Sequence, residues 1–156
     1  MTVSIGNLAP DFSLKASNGE TVKLSDFRGK NVVLYFYPKD MTPGCTTQAC
    51  DFREFHSDFT KLDCIILGIS PDPQDKHEKF IEKYNLPFLL LVDDEHHVAE
   101  MYEVWKLKKN FGKEYMGIER STFVIDKEGN LTKEWRKVKV KGHVEEALQY
   151  VKENLS

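Results

Sequence analysis

Several features that mark membrane, secreted and nucleic-acid-binding proteins are missing from this sequence of 156 residues. No apolar run approaches the roughly 18 residues that a membrane-spanning helix needs. The opening stretch, MTVSIGNLAPDFSL, lacks the basic start and continuous apolar segment of a secretory signal. The net charge of −3 gives no general attraction for nucleic acid or an anionic membrane. We therefore expect a cytoplasmic protein with no nucleic-acid or membrane partner.

Linkers, low-complexity segments and internal repeats are also absent, so residues 1–156 are predicted to form a single domain. Cysteine is scarce, with only Cys45, Cys50 and Cys64. The odd count excludes a framework in which every cysteine is paired. In a reducing compartment, cysteines are more often catalytic, metal-bound or buried than permanently cross-linked. The three thiols therefore need another explanation.

The hydrophobic pattern alternates between strand-like and helix-like segments. Asn18-Gly19 separates residues 11–16 from 21–24, which is typical of a hairpin. The run NVVLYFY at 31–37 is apolar without alternation, as expected of a strand covered on both faces. The pattern predicts helices over 45–61, 73–84, 95–103 and 143–153, and further strands over 64–69, 88–92, 121–125 and 131–137, but assigns nothing to 104–118. This order favours an α/β protein of thioredoxin-like fold, with a central mixed sheet flanked by helices and an N-terminal hairpin.

The segment YPKDMTPGCTTQAC at 37–50 places Cys45 after the buried strand and at the start of a predicted helix. In α/β sheets, reactive groups collect at the carboxyl ends of strands. The first turn of a helix presents free backbone N–H groups and the positive end of the helix dipole, and both stabilise a thiolate. Pro43 and Gly44 are expected to bend the chain so that these N–H groups converge on the sulfur.

Thiolate formation alone cannot make a fast enzyme. A free cysteine is already about 3% thiolate at pH 7, so complete ionisation raises its reactivity only about 30-fold. Groups that polarise the atom under attack can add further factors of about 100–1,000. Thr42 within the turn and Arg120 at the start of RSTFVID are the candidates. Taken one at a time, these residues also have ordinary explanations: a buried thiol, a helix cap and a surface ion pair.

Taken together, the residues resemble a known family. Pro38-x-x-x-Thr42-x-x-Cys45 matches the PxxxTxxC signature of peroxiredoxins, and YPKDMTPGCTTQACDFR is similar to their Q-type branch, also called bacterioferritin comigratory protein. The likeness extends over nearly the whole chain. GNLAPDFSL resembles the opening of the family, ISPDPQDKHEKFIEKYNLPFLLLVD its middle segment, and YMGIERSTFVIDKEG the strand that carries its arginine. Several ordered motifs in one chain are far more specific than any one of them.

The resemblance implies a thioredoxin fold and the reduction of hydrogen peroxide and organic hydroperoxides. It implies that Cys45 is the peroxidatic nucleophile and Cys50 the resolving thiol. Arg120 would stabilise the thiolate and orient the peroxide, Thr42 would hydrogen-bond the peroxide, and Pro38 would shield the site from water. The resemblance also favours a monomer recycled by thioredoxin, with glutaredoxin or glutathione as alternative reductants. No cofactor or metal is expected.

One residue departs from the family pattern. Gln48 stands where the family commonly has glutamate, so one negative charge near the sulfur is missing. We expect this absence to favour the thiolate of Cys45 slightly.

The spacing of Cys45 and Cys50 restricts how these residues could form a disulfide. Cα atoms five residues apart in an α-helix lie about 8.6 Å from each other, whereas a disulfide needs them within about 7 Å. A disulfide between these cysteines is therefore predicted to unwind part of the segment 43–52.

Three other functions stay open. Zinc could use Cys45, Cys50, His56 and Cys64, although eleven residues of helix would separate Cys45 from His56 by some 16 Å. A thioredoxin-like thiol–disulfide oxidoreductase would share the fold but normally needs Cys-x-x-Cys, which the sequence lacks. A non-catalytic interaction protein would have to keep the reactive set without using it. Cys64 opens the apolar run CIILGI and is assigned to the core, with a minor alternative as resolving thiol.

Overall fold

The structure is a computed structural model that describes residues 3–155. Its strands are β1 (Ser13–Ala16), β2 (Thr21–Lys23), β3 (Asn31–Phe36), β4 (Cys64–Ser70), β5 (Leu89–Val92), β6 (Trp105–Asn110), β7 (Lys113–Ile118), β8 (Ser121–Ile125) and β9 (Leu131–Trp135). Its helices are α1 (Pro43–Glu54), α2 (His56–Lys61), α3 (Gln74–Tyr84), α4 (His97–Met101) and α5 (His143–Asn154). None of the helices within residues 3–155 has the length and apolar character to cross a membrane.

Within the described residues, seven strands form one mixed sheet in the order β2-β1-β5-β4-β3-β8-β9. The neighbours β3, β4 and β5 run parallel, and the remaining pairs are antiparallel. All six residues of β3 are buried because the sheet is covered on both faces, which explains the unbroken apolar run. The β1–β2 hairpin turns at Asn18-Gly19, where Gly19 has φ +87°. The predicted α/β fold, with its central mixed sheet, flanking helices and N-terminal hairpin, is confirmed.

Two hydrophobic cores lie on opposite faces of this sheet. Successive residues of β3 alternate between them: Leu34 and Phe36 belong to one core, and Val33 and Tyr35 to the other. Such alternation follows from the two-residue period of a strand. Phe52 of α1 is fully buried in the second core and stacks on Tyr35 with ring centroids 4.6 Å apart. Truncating a buried phenylalanine to alanine costs about 3–5 kcal/mol, so this contact strongly fixes α1 against β3.

The single helix predicted over 45–61 was wrong in its bounds and its continuity. The helix begins at Pro43, because proline suits the first helical position, and it breaks after Glu54. Phe55 has φ −98° and ψ 7°, outside the α-helical region, so the ladder of backbone hydrogen bonds is interrupted there. The chain resumes as the short α2.

The region 104–118, to which the sequence pattern assigned nothing, forms the β6–β7 hairpin. Phe111 and Gly112 make its two-residue turn with φ +52° and +77°, as a tight hairpin turn requires. Most of the hairpin is exposed on both faces, including Leu107 at 57% and Phe111 at 97%. A strand pair with no buried face shows no apolar alternation, which explains why the pattern missed it.

Candidate active site

The loop between β3 and α1 carries the candidate thiol. Thr42 immediately precedes α1 and has an extended backbone, with φ −81° and ψ 154°. Pro43 and Gly44 are the first two helical residues, so Cys45 occupies the third position of α1. The residue is only 1% exposed. The sequence thus places the thiol at the start of a helix, beneath the surface.

The first turn of α1 supplies hydrogen-bond donors near the sulfur. The first hydrogen bond of the helix joins the N–H of Thr46 to the carbonyl of Thr42, at 2.8 Å. Within α1, the N–H groups of Gly44 and Cys45 therefore have no helical acceptor. These groups form the positive end of the helix dipole, which favours an anion beside Cys45.

Arg120 reaches this turn from the neighbouring strand. β8 runs antiparallel to β3, with Ser121 opposite Phe36, so the residue before β8 lies beside the end of β3. The Nη2 atom of Arg120 donates to Sγ of Cys45 at 3.3 Å. The contact is partly buried, which strengthens the interaction between the guanidinium and a thiolate relative to one in open water.

Gln48 completes the arrangement around the guanidinium. Its Oε1 accepts a hydrogen bond from Nη1 of Arg120 at 2.6 Å, and its side chain is fully buried. Nη1 of the guanidinium thus donates to the amide oxygen, and Nη2 donates to the thiol sulfur. From the sequence, Gln48 stands out only as a departure from a family pattern, and its contact with Arg120 was not predicted. Its spacing of three residues from Cys45, which places both side chains on one helix face, was the signal for this role.

Thr42 and Pro38 lie in the loop that leads from β3 into α1. The hydroxyl of Thr42 donates to the carbonyl of Lys39 at 2.9 Å, and makes no capping bond to the described backbone of α1. An ordinary helix cap therefore does not explain this threonine. Pro38 is half-buried directly after Tyr37, at the end of β3. Of the predicted set, the structure brings Cys45 and Arg120 into direct contact, places Thr42 immediately before α1, and places Pro38 two residues beyond the end of β3.

The other two cysteines differ sharply in their surroundings. Cys50 is half-buried in the second half of α1, on the same unbroken helix as Cys45. Cys64 is 3% exposed at the start of β4, and burial raises the pKa of its thiol to about 12. The assignment of Cys64 to the core is confirmed. All three cysteines, which lie within residues 3–155, are free.

A basic depression adjoins the guanidinium. It has a volume of about 480 Å³ and is lined by Arg120, the hairpin residues Leu107, Lys108 and Tyr115, and Val138. Burial, together with the nearby charge of Arg120, lowers the pKa of Lys108. In the core that Cys45 shares with Tyr35, burial and the neighbouring Cys45 raise the pKa of Tyr35 well above its ordinary value. The sequence shows Lys108 only as part of a locally basic stretch, and nothing in the sequence pattern pointed to Tyr35.

The described side chains offer no support for a zinc site. Within residues 3–155, no group of three or more histidine, cysteine, aspartate or glutamate side chains is placed to hold a metal ion. His56 begins α2, beyond the break at Phe55. The arrangement around Cys45 is instead a thiol at the start of a helix in contact with a guanidinium.

Comparisons of sequence agree with this geometry. The AhpC/TSA family matches residues 5–134. The chain is 72% identical over 153 residues to Peroxiredoxin Bcp of Bacillus subtilis, with 98% of each sequence covered. It is 44% identical over 149 residues to Peroxiredoxin Bcp of Escherichia coli, with 96% of each covered.

Solved structures give the same answer. A cysteine variant of PrxQ from Xylella fastidiosa superposes with a TM-score of 0.94 at 33% identity, over 100% of this chain and 99% of that one. Peroxiredoxin Q of Xanthomonas campestris superposes with a TM-score of 0.89 at 39% identity, over 93% of this chain and 92% of that one. The motifs, the fold and the likeness along the whole chain lead to one conclusion. The chain belongs to the AhpC/TSA family, in the Bcp or Q-type branch of the peroxiredoxins.

Proposed function

We propose that this chain is a single-domain, thiol-dependent peroxidase that reduces hydrogen peroxide and organic hydroperoxides and is recycled by thioredoxin. The observation that carries the proposal is the 3.3 Å contact between Nη2 of Arg120 and Sγ of Cys45 at the start of α1. The relatives that carry the name peroxiredoxin support the same reaction class.

In the first step, the thiolate of Cys45 attacks the terminal oxygen of the hydroperoxide. A sulfur–oxygen bond forms as the oxygen–oxygen bond breaks, and Cys45 is left as a sulfenic acid. The departing alkoxide takes up a proton and leaves as an alcohol, or as water when the substrate is hydrogen peroxide. Arg120 and the N–H groups of the first turn stabilise negative charge on the thiolate and on the departing oxygen.

Thr42 and Pro38 prepare the site for this attack. The hydroxyl proton of Thr42 is committed to the carbonyl of Lys39, so the oxygen of Thr42 is left to accept a hydrogen bond from the peroxide O–H. Pro38 shields the loop side of the thiol from water. The basic depression beside Arg120 provides room for the organic part of a hydroperoxide.

In the second step, Cys50 condenses with the sulfenic acid, and a disulfide and one molecule of water form. Both cysteines lie within the continuous helix α1. An intact helix holds their Cα atoms about 8.6 Å apart, beyond the limit of about 7 Å for a disulfide. Part of α1 around Cys45 and Cys50 must therefore unwind in the oxidised enzyme.

In the third step, an external dithiol reduces the disulfide by exchange and is itself oxidised. Thioredoxin is the proposed reductant, with glutaredoxin and glutathione as alternatives to be compared with it. The enzyme acts as a monomer in the cytoplasm, in the service of antioxidant defence.

A coupled assay tests the cycle. Consumption of hydrogen peroxide is followed with thioredoxin and its reductase for the wild type, Cys45→Ser, Cys50→Ser and the control Cys64→Ser. We expect Cys45→Ser to abolish turnover and Cys64→Ser to retain it. Cys50→Ser should react once with peroxide and then fail to recycle through thioredoxin.

Replacement of thioredoxin by glutaredoxin or glutathione in the same assay identifies the reductant. Reduction of insulin by the wild type, without consumption of peroxide, would instead support a thioredoxin-like oxidoreductase. Stoichiometric loss of peroxide without turnover with any of the three reductants would support a non-catalytic role.

A further inference from the structure

A buried polar cluster lies beside the peroxidatic loop and takes no part in the steps above. Asp40, Asp72 and His77 are among the buried ionisable residues of the described chain, and His77 is fully buried. Asp40 belongs to the loop between β3 and α1, two residues before Thr42. His77 belongs to α3, so the cluster joins this loop to a different layer of the fold.

The carboxylate of Asp40 is held at both oxygens. Its Oδ1 accepts a hydrogen bond from the hydroxyl of Tyr37 at 2.5 Å, and its Oδ2 lies 2.6 Å from Nδ1 of His77. The other ring nitrogen of His77, Nε2, lies 2.9 Å from the carbonyl oxygen of Leu91 in β5. Because a carbonyl only accepts, Nε2 carries a proton, and one further proton is shared between Nδ1 and the carboxylate.

The backbone of Asp40 is held as well. Its N–H donates to Oδ2 of Asp72 at 2.7 Å, and the same oxygen accepts from the hydroxyl of Ser70 at 2.9 Å. Ser70 ends β4. Asp40 is thus fixed through its side chain to α3 and through its main chain to the end of β4.

This attachment lies very close to the reactive turn. Only Met41 and Thr42 separate Asp40 from the first residue of α1. Met41 has φ +63°, a left-handed conformation that a methionine adopts only when its surroundings impose it. The path of the chain from Asp40 to Cys45 is therefore set by where Asp40 is held.

We propose that Asp40 and His77 are positioning residues for the peroxidatic cysteine, holding the loop so that Thr42 and Cys45 face Arg120. This proposal rests on the proposed function where the rate of Cys45 oxidation tests it, but not where alkylation of Cys45 and unfolding in urea test it. A buried ion pair or its shared-proton equivalent is often no more stabilising than apolar residues of similar size. Net stability therefore does not explain why the pair is present, whereas a role in fixing the position of the loop does.

Three variants distinguish an effect on the position of the loop from an effect on the stability of the fold. In Asp40→Asn, the amide oxygen can accept from Tyr37 and the amide N–H can donate to Nδ1 of a neutral His77, so the attachment is kept. In Asp40→Ala the side-chain attachment to α3 is lost, and the hydroxyl of Tyr37 and Nδ1 of His77 are left with only their mutual contact at 3.5 Å. The double variant Asp40→Ala/His77→Gln also lacks the link between residue 40 and α3, but its glutamine can donate to the carbonyl of Leu91 and accept from the hydroxyl of Tyr37, so the buried groups keep partners.

Three measurements are made on each variant with the full chain. The first is the rate at which Cys45 is oxidised by hydrogen peroxide, with dithiothreitol as reductant so that thioredoxin is not involved. The second is the pH profile of alkylation of Cys45 by iodoacetamide, followed by peptide mass spectrometry. The third is the free energy of unfolding in urea. Tyr102→Phe, which removes a buried hydrogen bond to the carbonyl of Pro10 in the opposite core, is the matched control.

We expect Asp40→Ala to lower the oxidation rate at least about ten-fold, since a misplacement of 1 Å can cost on the order of 100-fold. Its alkylation profile should move to higher pH. Asp40→Asn should keep most of the rate. The double variant should recover stability relative to Asp40→Ala without recovering the rate or the profile, and Tyr102→Phe should lose stability alone.

Two outcomes would overturn the proposal. One is a wild-type rate and alkylation profile in Asp40→Ala. The other is recovery of the rate in step with stability in the double variant, which would mean that the cluster only stabilises the fold. A wild type that is inert to peroxide would refute the proposed function instead, and the alkylation profiles would still decide the role of Asp40 and His77.

Discussion

Gly44 and Arg120 are packed so closely that a Cβ atom on Gly44 would lie 3.2 Å from Nη2 of the arginine. This Nη2 atom is the one that contacts the sulfur of Cys45. In Gly44→Ala the guanidinium must move by a few tenths of an ångström. We expect the rate of Cys45 oxidation to fall about three- to ten-fold, because catalytic rates depend steeply on such placement. Stopped-flow measurement with hydrogen peroxide checks this.

The free energy of unfolding of Gly44→Ala should stay the same or rise, although its oxidation rate falls. Alanine favours a helix over glycine by up to about 1 kcal/mol, so the variant should unfold at equal or higher urea concentration. Gly117→Ala is a suitable control, since its Cβ would make only ordinary contacts, the nearest at 3.4 Å to the flexible Lys108 and to Tyr115. An unchanged oxidation rate in Gly44→Ala would show that the position of the guanidinium is not critical.

Gln48→Glu tests the departure from the family pattern. Gln48 gives Arg120 a neutral acceptor, and its Nε2 has no hydrogen-bond partner among the described residues. A glutamate would add negative charge near the sulfur and disfavour the thiolate. We expect the oxidation rate at pH 7 to fall several-fold, and the difference from wild type to shrink as the pH rises. A shift of one pH unit in the profile corresponds to about 1.4 kcal/mol.

Gln48→Met is the matched variant for this prediction. It removes the acceptor for Arg120 without adding charge, so it should alter the rate with a smaller displacement of the pH profile. Superimposable profiles for the wild type and Gln48→Glu would show that charge at this position does not act on the thiol.

The central strands β3 and β8 were predictable because both of their faces are buried. The approach of Arg120 to Cys45 followed from the family resemblance and not from spacing. Seventy-five positions separate the two residues, and only the antiparallel pairing of β3 with β8 brings them together. The pairing of Asp40 with His77 had no sequence signal at all. An aspartate in a polar loop and a histidine on a charged helix both read as solvated residues.

Oxidation should unwind α1 but leave the preceding loop in place at Asp40. The N–H of Asp40 is held by Asp72, whereas the turn that begins with the Thr46–Thr42 bond must open for the disulfide to form. After one equivalent of peroxide, we expect backbone amides within 46–54 to exchange hydrogen at least about ten-fold faster. The amides of α3 and Asp40 should stay protected. Hydrogen exchange with mass spectrometry measures both.

The control for unwinding is Cys50→Ser, which forms the sulfenic acid but not the disulfide. Its α1 amides should keep their protection after the same treatment. Unchanged exchange in a wild-type sample whose Cys45–Cys50 disulfide is complete by mass spectrometry would contradict the unwinding.

Cys64 should be inert in the native protein. Burial raises the pKa of its thiol to about 12, and the side chain is almost fully enclosed. At pH 9 only about one molecule in a thousand would carry the thiolate. We expect iodoacetamide to label Cys50 between pH 7 and 10 while sparing Cys64, and to label all three cysteines in denaturant. Native labelling of Cys64 at the rate of Cys50 would restore it as a candidate resolving thiol.

His143 should make stability depend on pH near neutrality. The ring is buried, and its Nε2 lies 2.8 Å from the hydroxyl oxygen of Thr122. Burial lowers the pKa of His143 below its ordinary value of 6.5, despite the opposing effect of Glu146. Below about pH 6.5 the unfolded chain therefore binds a proton that the folded protein takes up only at lower pH, and stability falls as the pH falls. The slope can reach about 1.4 kcal/mol per pH unit. His143→Gln should flatten the profile of unfolding free energy below about pH 6.5, as measured by urea unfolding at a series of pH values. Parallel profiles for the wild type and His143→Gln would assign the dependence to other groups.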